Sequence, residues 1–250
     1  MLIDVHAHLD NEKFKDILPK IIDECKLNKV QQIINNGLNF QSNLNSLNLA
    51  KKYDIIKAAL GLYPLEAEKI TNKEFDNIVK LISDNSKNII AIGEIGLDGK
   101  YGINHELQEK YFVKLIKLAR ELNKPIIVHS RCKESRIIEL LNSNKMEKVI
   151  MHSYTGNMKL AREVIDNNWF FSIPPSIINS KHFQLIVDIT PEENLLTETD
   201  SPYQYTNNEF NKPSFVSFSI QMIAKIKNIT ETDAKNKIFQ NFKRIFINSK

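Results

Sequence analysis

Short runs rich in isoleucine, valine and leucine recur along the chain, separated by stretches whose apolar residues fall three and four apart. The short runs predict eight strands, at 2–9, 30–37, 55–61, 89–97, 125–130, 149–153, 169–173 and 194–199. Leu107, Tyr111, Leu115, Leu118 and Leu122 make one apolar stripe and predict a helix over 106–122. Weaker stripes predict helices over 75–83, 133–142 and 159–167. Thr230, three residues before Asp233, reads as the N-cap of a capping box that opens a last helix towards Phe246. Alternating strands and helices are the pattern of βα units on a parallel sheet. No long repeat, linker or second domain interrupts it, so 1–250 reads as one domain. The irregular stretch 201–212 follows the last strand, where a barrel carries an active-site loop.

Eight such strands can form an open doubly wound sheet or a closed barrel. Polar residues separate the two: His6 and His8 lie in the first strand, Glu94 in the fourth, His129 in the fifth and His152 in the sixth, and Asp200 follows the eighth. In an open sheet these ends lie along a line, whereas a barrel brings them to one point. The expectation is therefore an α/β fold, a (β/α)8 TIM barrel; the resemblance described below makes it one of the metallo-dependent hydrolase type.

The chemistry follows from these residue types. Side chains two apart on a strand share a face, so His6 and His8 can bind one ion; a surface-exposed strand end is the alternative. Glu94, between Ile92 and Ile95, is a buried carboxylate that needs a partner, either a cation it bridges or an internal salt bridge. Gly93 and Gly96 leave its backbone uncrowded. His129 and His152 each end an apolar run, as a ligand or a satisfied core histidine would. Four histidines and two carboxylates suffice for a site with two ions and room for water.

Composition narrows the picture little. Apolar residues make up 42% and charged residues 26% of 250, the balance of a globular protein. A net charge of +4 favours anionic substrates but falls short of a dedicated nucleic-acid-binding signature. No apolar run reaches the roughly 18 residues of a membrane span, and Asp4, His6 and His8 interrupt the run a signal peptide would need. A cytoplasmic location is expected, with no membrane and no obligate protein partner. Cys25 and Cys132 suit a reducing compartment and read as space fillers.

Larger motifs then carry a resemblance. They are Asp4-Val5-His6-Ala7-His8-Leu9, Gly93-Glu94-Ile95-Gly96-Leu97-Asp98, Gln108 with Phe112, and the 125–131 run. They continue through His152-Ser153-Tyr154-Thr155-Gly156, Glu198-Thr199-Asp200-Ser201-Pro202-Tyr203, and Asn241 with Phe246. The chain resembles the TatD family of metal-dependent deoxyribonucleases, within the amidohydrolase-like barrel superfamily. The resemblance implies one divalent cation on His6, His8 and Asp200, a second on His129 and His152, and Glu94 between them. Magnesium, manganese or zinc would serve, with Asp200 and Glu94 as catalytic residues and Asp200 as general base.

Arg131 reads as a phosphate clamp or as a surface arginine. Tyr154, Tyr203 and Tyr101 read as substrate-binding rings, with base stacking or ordinary loop packing both open, and Tyr63 as a substrate-binding residue through its hydrogen-bonding tip. The chain departs from the family pattern at Gly61-Leu62-Tyr63-Pro64, where Tyr63 stands for a histidine. It departs again at Gly99-Lys100-Tyr101-Gly102 and at Asn211-Lys212-Pro213. The expected function is hydrolysis of DNA phosphodiesters by a metal-activated water, most simply from a strand end. The alternatives are an ester or amide hydrolase, such as a D-aminoacyl-tRNA deacylase, and a non-catalytic nucleic-acid-binding barrel.

Overall fold

The computed structural model describes residues 1–204 and 210–247. Eight strands run β1 (Leu2–Ala7), β2 (Val30–Asn36), β3 (Ile56–Leu60), β4 (Ile89–Asp98), β5 (Ile126–Arg131), β6 (Val149–His152), β7 (Phe170–Ile173) and β8 (Leu195–Thr197). Neighbours in sequence pair in parallel, in the order β1 to β8. Backbone bonds beyond the strand ends bring β8 against β1: the Asp200 N–H donates to the His6 carbonyl, and the His8 N–H to that of Ser201, each at 2.8 Å. A parallel bridge between Ala7 and Ser201 completes the closure. The expected barrel is what the chain forms.

Helices α1 (Leu18–Leu27), α2 (Phe40–Lys52), α3 (Pro64–Ala67), α4 (Asn72–Asp84), α5 (His105–Glu121), α6 (Glu134–Ser143), α7 (Met158–Asp166) and α8 (Lys181–Ile189) lie between the strands. After β8 come α9 (Val216–Lys227) and α10 (Glu231–Phe242), then a π-helical turn at Lys243–Ile247. Residues 205–209 of the expected mouth loop lie outside the described residues. Among the described residues no helix is long and apolar enough to cross a membrane.

The core explains the pattern. Strand residues such as Ile3, Ile33, Ala59, Ile92, Val128, Ile150, Phe171 and Leu196 are fully buried, as expected for strands covered on both faces. The stripe of α5 packs Tyr111 on Phe75 of α4 with ring centroids 4.1 Å apart. Helix α2 shows no such stripe because its buried face is largely polar, with Ser42, Asn43 and Ser46 beside Leu47.

Two caps show how finely side-chain length matters. In α4, Glu74 Nα donates to Thr71 Oγ1 while the Glu74 carboxylate accepts from the Thr71 N–H at 2.7 Å, a complete capping box. In α10, Thr230 caps the Asp233 N–H as predicted, but the Asp233 carboxylate takes the Thr230 hydroxyl instead. Asp is one methylene short of Glu, and the predicted box is only half formed. Cys25 is buried in α1, whereas Cys132, expected to fill space, is exposed in a left-handed residue (φ 56).

Candidate metal centre

Asp4, His6 and His8 alternate along β1 and its extension towards one interior face. The Asp4 carboxylate pins this segment to the end of β8. It accepts from the His6 N–H at 3.1 Å, from the Thr199 N–H at 2.9 Å and from the Thr199 hydroxyl at 2.5 Å. Beside them, His6 Nε2 and His8 Nε2 lie 3.1 Å apart. Asp200 Oδ1 is 3.6 Å from the first and 3.4 Å from the second, and Glu94 Oε2 is 3.5 Å from both. A tetrahedral shell with bonds of roughly 2.0–2.2 Å separates its ligand atoms by about 3.3–3.6 Å, close to the 3.1–3.6 Å spacings among His6, His8 and Asp200. Asp200 adopts a left-handed conformation (φ 56), which a short polar side chain tolerates and which its bond to His6 maintains.

The other oxygen of Glu94 faces the opposite way. Oε1 lies 2.9 Å from His129 Nδ1 and 3.8 Å from His152 Nε2. Three groupings, His6–His8–Asp200, Glu94–His129–His152 and His6–His152–Glu198, each bring their ligand atoms within 4.8 Å of one another. Gly96, on the strand that carries Glu94, has φ 149, and a Cβ there would collide with the His129 carbonyl oxygen. A Cβ at Gly93 would press on Ile127 at 2.8 Å. These glycines let β4 and β5 approach closely enough for Glu94 to meet His129.

Carboxylates outside this ring set the imidazoles. Asp98 Oδ2 lies 3.1 Å from His129 Nε2, and Glu198 Oε2 lies 3.0 Å from His152 Nδ1. His8 Nδ1 instead meets the Asn36 carbonyl at 2.9 Å. Such partners fix ring orientation and raise ligand basicity. Asp98 is itself held: its N–H donates to Gln108 Oε1 at 2.9 Å, and its Oδ1 accepts from the N–H groups of Lys100 and Tyr101. The Ser172 hydroxyl donates to Glu198. Asp98, Glu198 and Asn36 were not singled out as site residues from sequence. For the two acids the signal was available: each is a carboxylate at the polar end of an apolar strand run.

Burial and charge compete over protonation. Burial, helped by His152, lowers His6 to about 4, leaving it neutral. Burial alone would lower His8, but the Asp200 hydrogen bond and the charge of Glu94 lift it to about 8. Burial is likewise outweighed at His152, which Glu198 raises to about 10. Glu94 and Asp200 both sit below the usual carboxylate range, because the surrounding histidines outweigh the effect of burial. The donor set fits divalent cations: neutral or displaceable imidazoles and ionised carboxylates turned towards one another.

Above the cluster opens a cleft of about 520 Å³, lined among others by Tyr63, Arg131, Asp200 and Tyr203. The Tyr63 ring lies edge-on to His129 with centroids 5.0 Å apart, and burial holds its phenol protonated. The Arg131 guanidinium lies over the Tyr101 ring at 5.5 Å, and Tyr101 is exposed. Tyr203, 41% exposed, stands edge-on to His8 and accepts a bond from Asn11 at 3.1 Å. Tyr154 is the correction: it is only 1% exposed, packs on Phe171 and donates its hydroxyl to the Asn157 carbonyl. A ring so enclosed has no face for a substrate base. Ser153, immediately before it, has φ 41, which turns the chain out of the alternation of β6.

A closed parallel barrel with histidines and carboxylates gathered at the C-terminal ends of its strands defines the class of metal-dependent hydrolases. The profile described as TatD related DNase matches residues 3–247. An uncharacterized metal-dependent hydrolase of Bacillus subtilis, YabD, is 32% identical over 98% of this chain and 99% of its own. Human deoxyribonuclease TATDN3 is 30% identical over 98% of this chain and 94% of its own. The crystal structure of YJJV, a TatD homolog from Escherichia coli, superposes with a TM-score of 0.91 at 22% identity, covering 98% of this chain and 97% of that one. The chain belongs to the TatD family, and it is a metal-dependent hydrolase.

Proposed function

We propose that the protein hydrolyses phosphodiester bonds of DNA, from a strand end, using two divalent cations that share Glu94. The observation that carries the two-ion reading is the division of the Glu94 carboxylate, Oε2 towards His6, His8 and Asp200 and Oε1 towards His129 and His152. The phosphodiester reading draws on the deoxyribonuclease named among the relatives and on Arg131 at the cleft edge. A cup at a barrel mouth admits a strand end more readily than continuous duplex.

Divalent cations in this site supply Lewis acidity, which acidifies water and neutralises phosphate charge. The chain's own groups do the rest. Asp200, ionised and beside His6 and His8, accepts the proton that water gives up. Arg131 offers a planar pair of donors to phosphate oxygens and rests on Tyr101. Tyr63, kept protonated by burial, donates a hydrogen bond into the cleft where the family pattern has a histidine. Tyr203 offers a half-exposed ring at the mouth. Catalysis in the cytoplasm, without a membrane or protein partner, completes the reading.

The test uses chelator-stripped protein supplied with magnesium, manganese or zinc and end-labelled single-stranded DNA, duplex DNA, RNA or a D-aminoacyl-tRNA. Metal-restored shortening of DNA from one end is the expected result. Intact DNA beside metal-dependent release of the amino acid would keep the site and overturn the substrate.

A further inference from the structure

Gln204 joins three strand ends above the metal cluster, and the reaction as described makes no use of it. Its Nε2 donates to Asp200 Oδ2 at 3.1 Å and to Ser153 Oγ at 2.7 Å. Its Oε1 accepts from the Ser176 hydroxyl at 3.2 Å. Ser153 directly follows β6, Ser176 follows β7, and Gln204 itself follows β8 in a left-handed conformation (φ 54). An amide nitrogen has two hydrogens, and here each has an acceptor.

The bond to Asp200 matters because the two oxygens of that carboxylate do different things. Oδ1 faces His6 and His8, and Oδ2 is the one Gln204 holds. The Asp200 backbone is already tied to β1 through the His6 carbonyl. Its terminal torsion is broad and roughly two-fold, so the backbone alone does not choose how the carboxylate lies. Gln204 supplies that choice. Although Gln204 also lines the cleft, its amide is engaged by three protein groups, which favours a role through Asp200 over direct substrate recognition.

We infer that Gln204 is a positioning residue: its amide orients Asp200 so that Oδ1 points at the cation position shared with His6 and His8. The inference rests on the two-ion reading above. Ser153 and Ser176 act one step further out, by holding the amide.

Chelator-stripped wild type, Gln204→Met, Gln204→Leu, Ser153→Ala and the Gln204→Met/Ser153→Ala pair are titrated with manganese(II) alone, free ion being followed by electron paramagnetic resonance. Gln204→Met keeps the length of the side chain and removes only the amide. Both Gln204 variants should bind one of the two ions about 10–100-fold more weakly, the usual consequence of losing an orienting partner. Their metal-free Tm should stay near wild type, and turnover should show the loss in kcat rather than KM. Ser153→Ala should weaken binding less, and should add nothing in the Gln204→Met background. Unchanged manganese affinity in Gln204→Met beside a manganese-binding wild type would overturn this inference alone. Equal weakening of both ions with a fallen metal-free Tm would overturn it as well, by making Gln204 merely structural. A wild type that takes up no manganese would overturn the two-ion reading itself, and this inference with it.

Discussion

The two halves of the site are built differently. On the β5–β6 side, each imidazole is backed by a buried carboxylate, Asp98 behind His129 and Glu198 behind His152. On the β1–β8 side, His8 is backed by a main-chain carbonyl. Among the described residues His6 Nδ1 has no hydrogen-bond partner, although it is buried. That side relies on barrel closure instead: His6, His8 and Asp200 are tied by the backbone bonds that join the first strand to the last and by Asp4, while Gln204 holds Asp200 Oδ2. One half is thus held by side chains that also tune basicity, the other by the geometry of barrel closure. Glu94 belongs to both, which makes it the place where the comparison can be broken outright.

Glu94→Ala should therefore abolish turnover to background while the barrel still folds, as judged by circular dichroism. Activity near wild type would remove Glu94 from the mechanism. The asymmetry itself is tested by Glu198→Gln, which should weaken metal binding about 10–100-fold and do so mainly at one ion, since the candidate ligand that Glu198 hydrogen-bonds is His152. Equal weakening of both ions in a titration would contradict the division into halves.

Protons give a smaller and more graded test. Cations must displace protons from His8, raised to about 8, and from His152, raised to about 10, whereas His6 is already neutral above about 4. Metal affinity should accordingly rise with pH between 6 and 8, by up to about tenfold per unit for each proton displaced. A flat profile in calorimetric titrations would show that these histidines are not the groups metal competes for. The smallest effect is expected at Tyr154→Phe. It removes a hydroxyl that donates to Asn157, at about 0.5–1.5 kcal/mol of stability measured by denaturant unfolding. Substrate KM should not change; a large rise would return Tyr154 to the cleft.

All eight strands stand within two residues of where the apolar runs place them, because runs buried on both faces leave an unambiguous signature. The six candidate ligands were legible for the same reason: each is a polar group within or at the end of such a run. What was not legible begins where the strands stop. Cys132, Ser153 and Asp200, which follow β5, β6 and β8, all have positive φ. A left-handed residue breaks the alternation of faces, so extrapolating past it left Tyr154 open as a substrate-binding ring, which its burial excludes, and read Cys132 as a space filler, although it is exposed. Asp98 and Glu198 were visible as letters in motifs, but their role depends on which imidazole nitrogen they meet across strands. Helix α2 escaped because polar Ser42, Asn43 and Ser46 form its buried face.

Manganese soaked into crystals of the protein tests most directly whether Glu94 is shared. Anomalous scattering should show two peaks about 3.5–4 Å apart, one against Glu94 Oε2 with His6, His8 and Asp200, the other against Oε1 with His129 and His152. A single peak, or manganese bound away from these six residues, would contradict it.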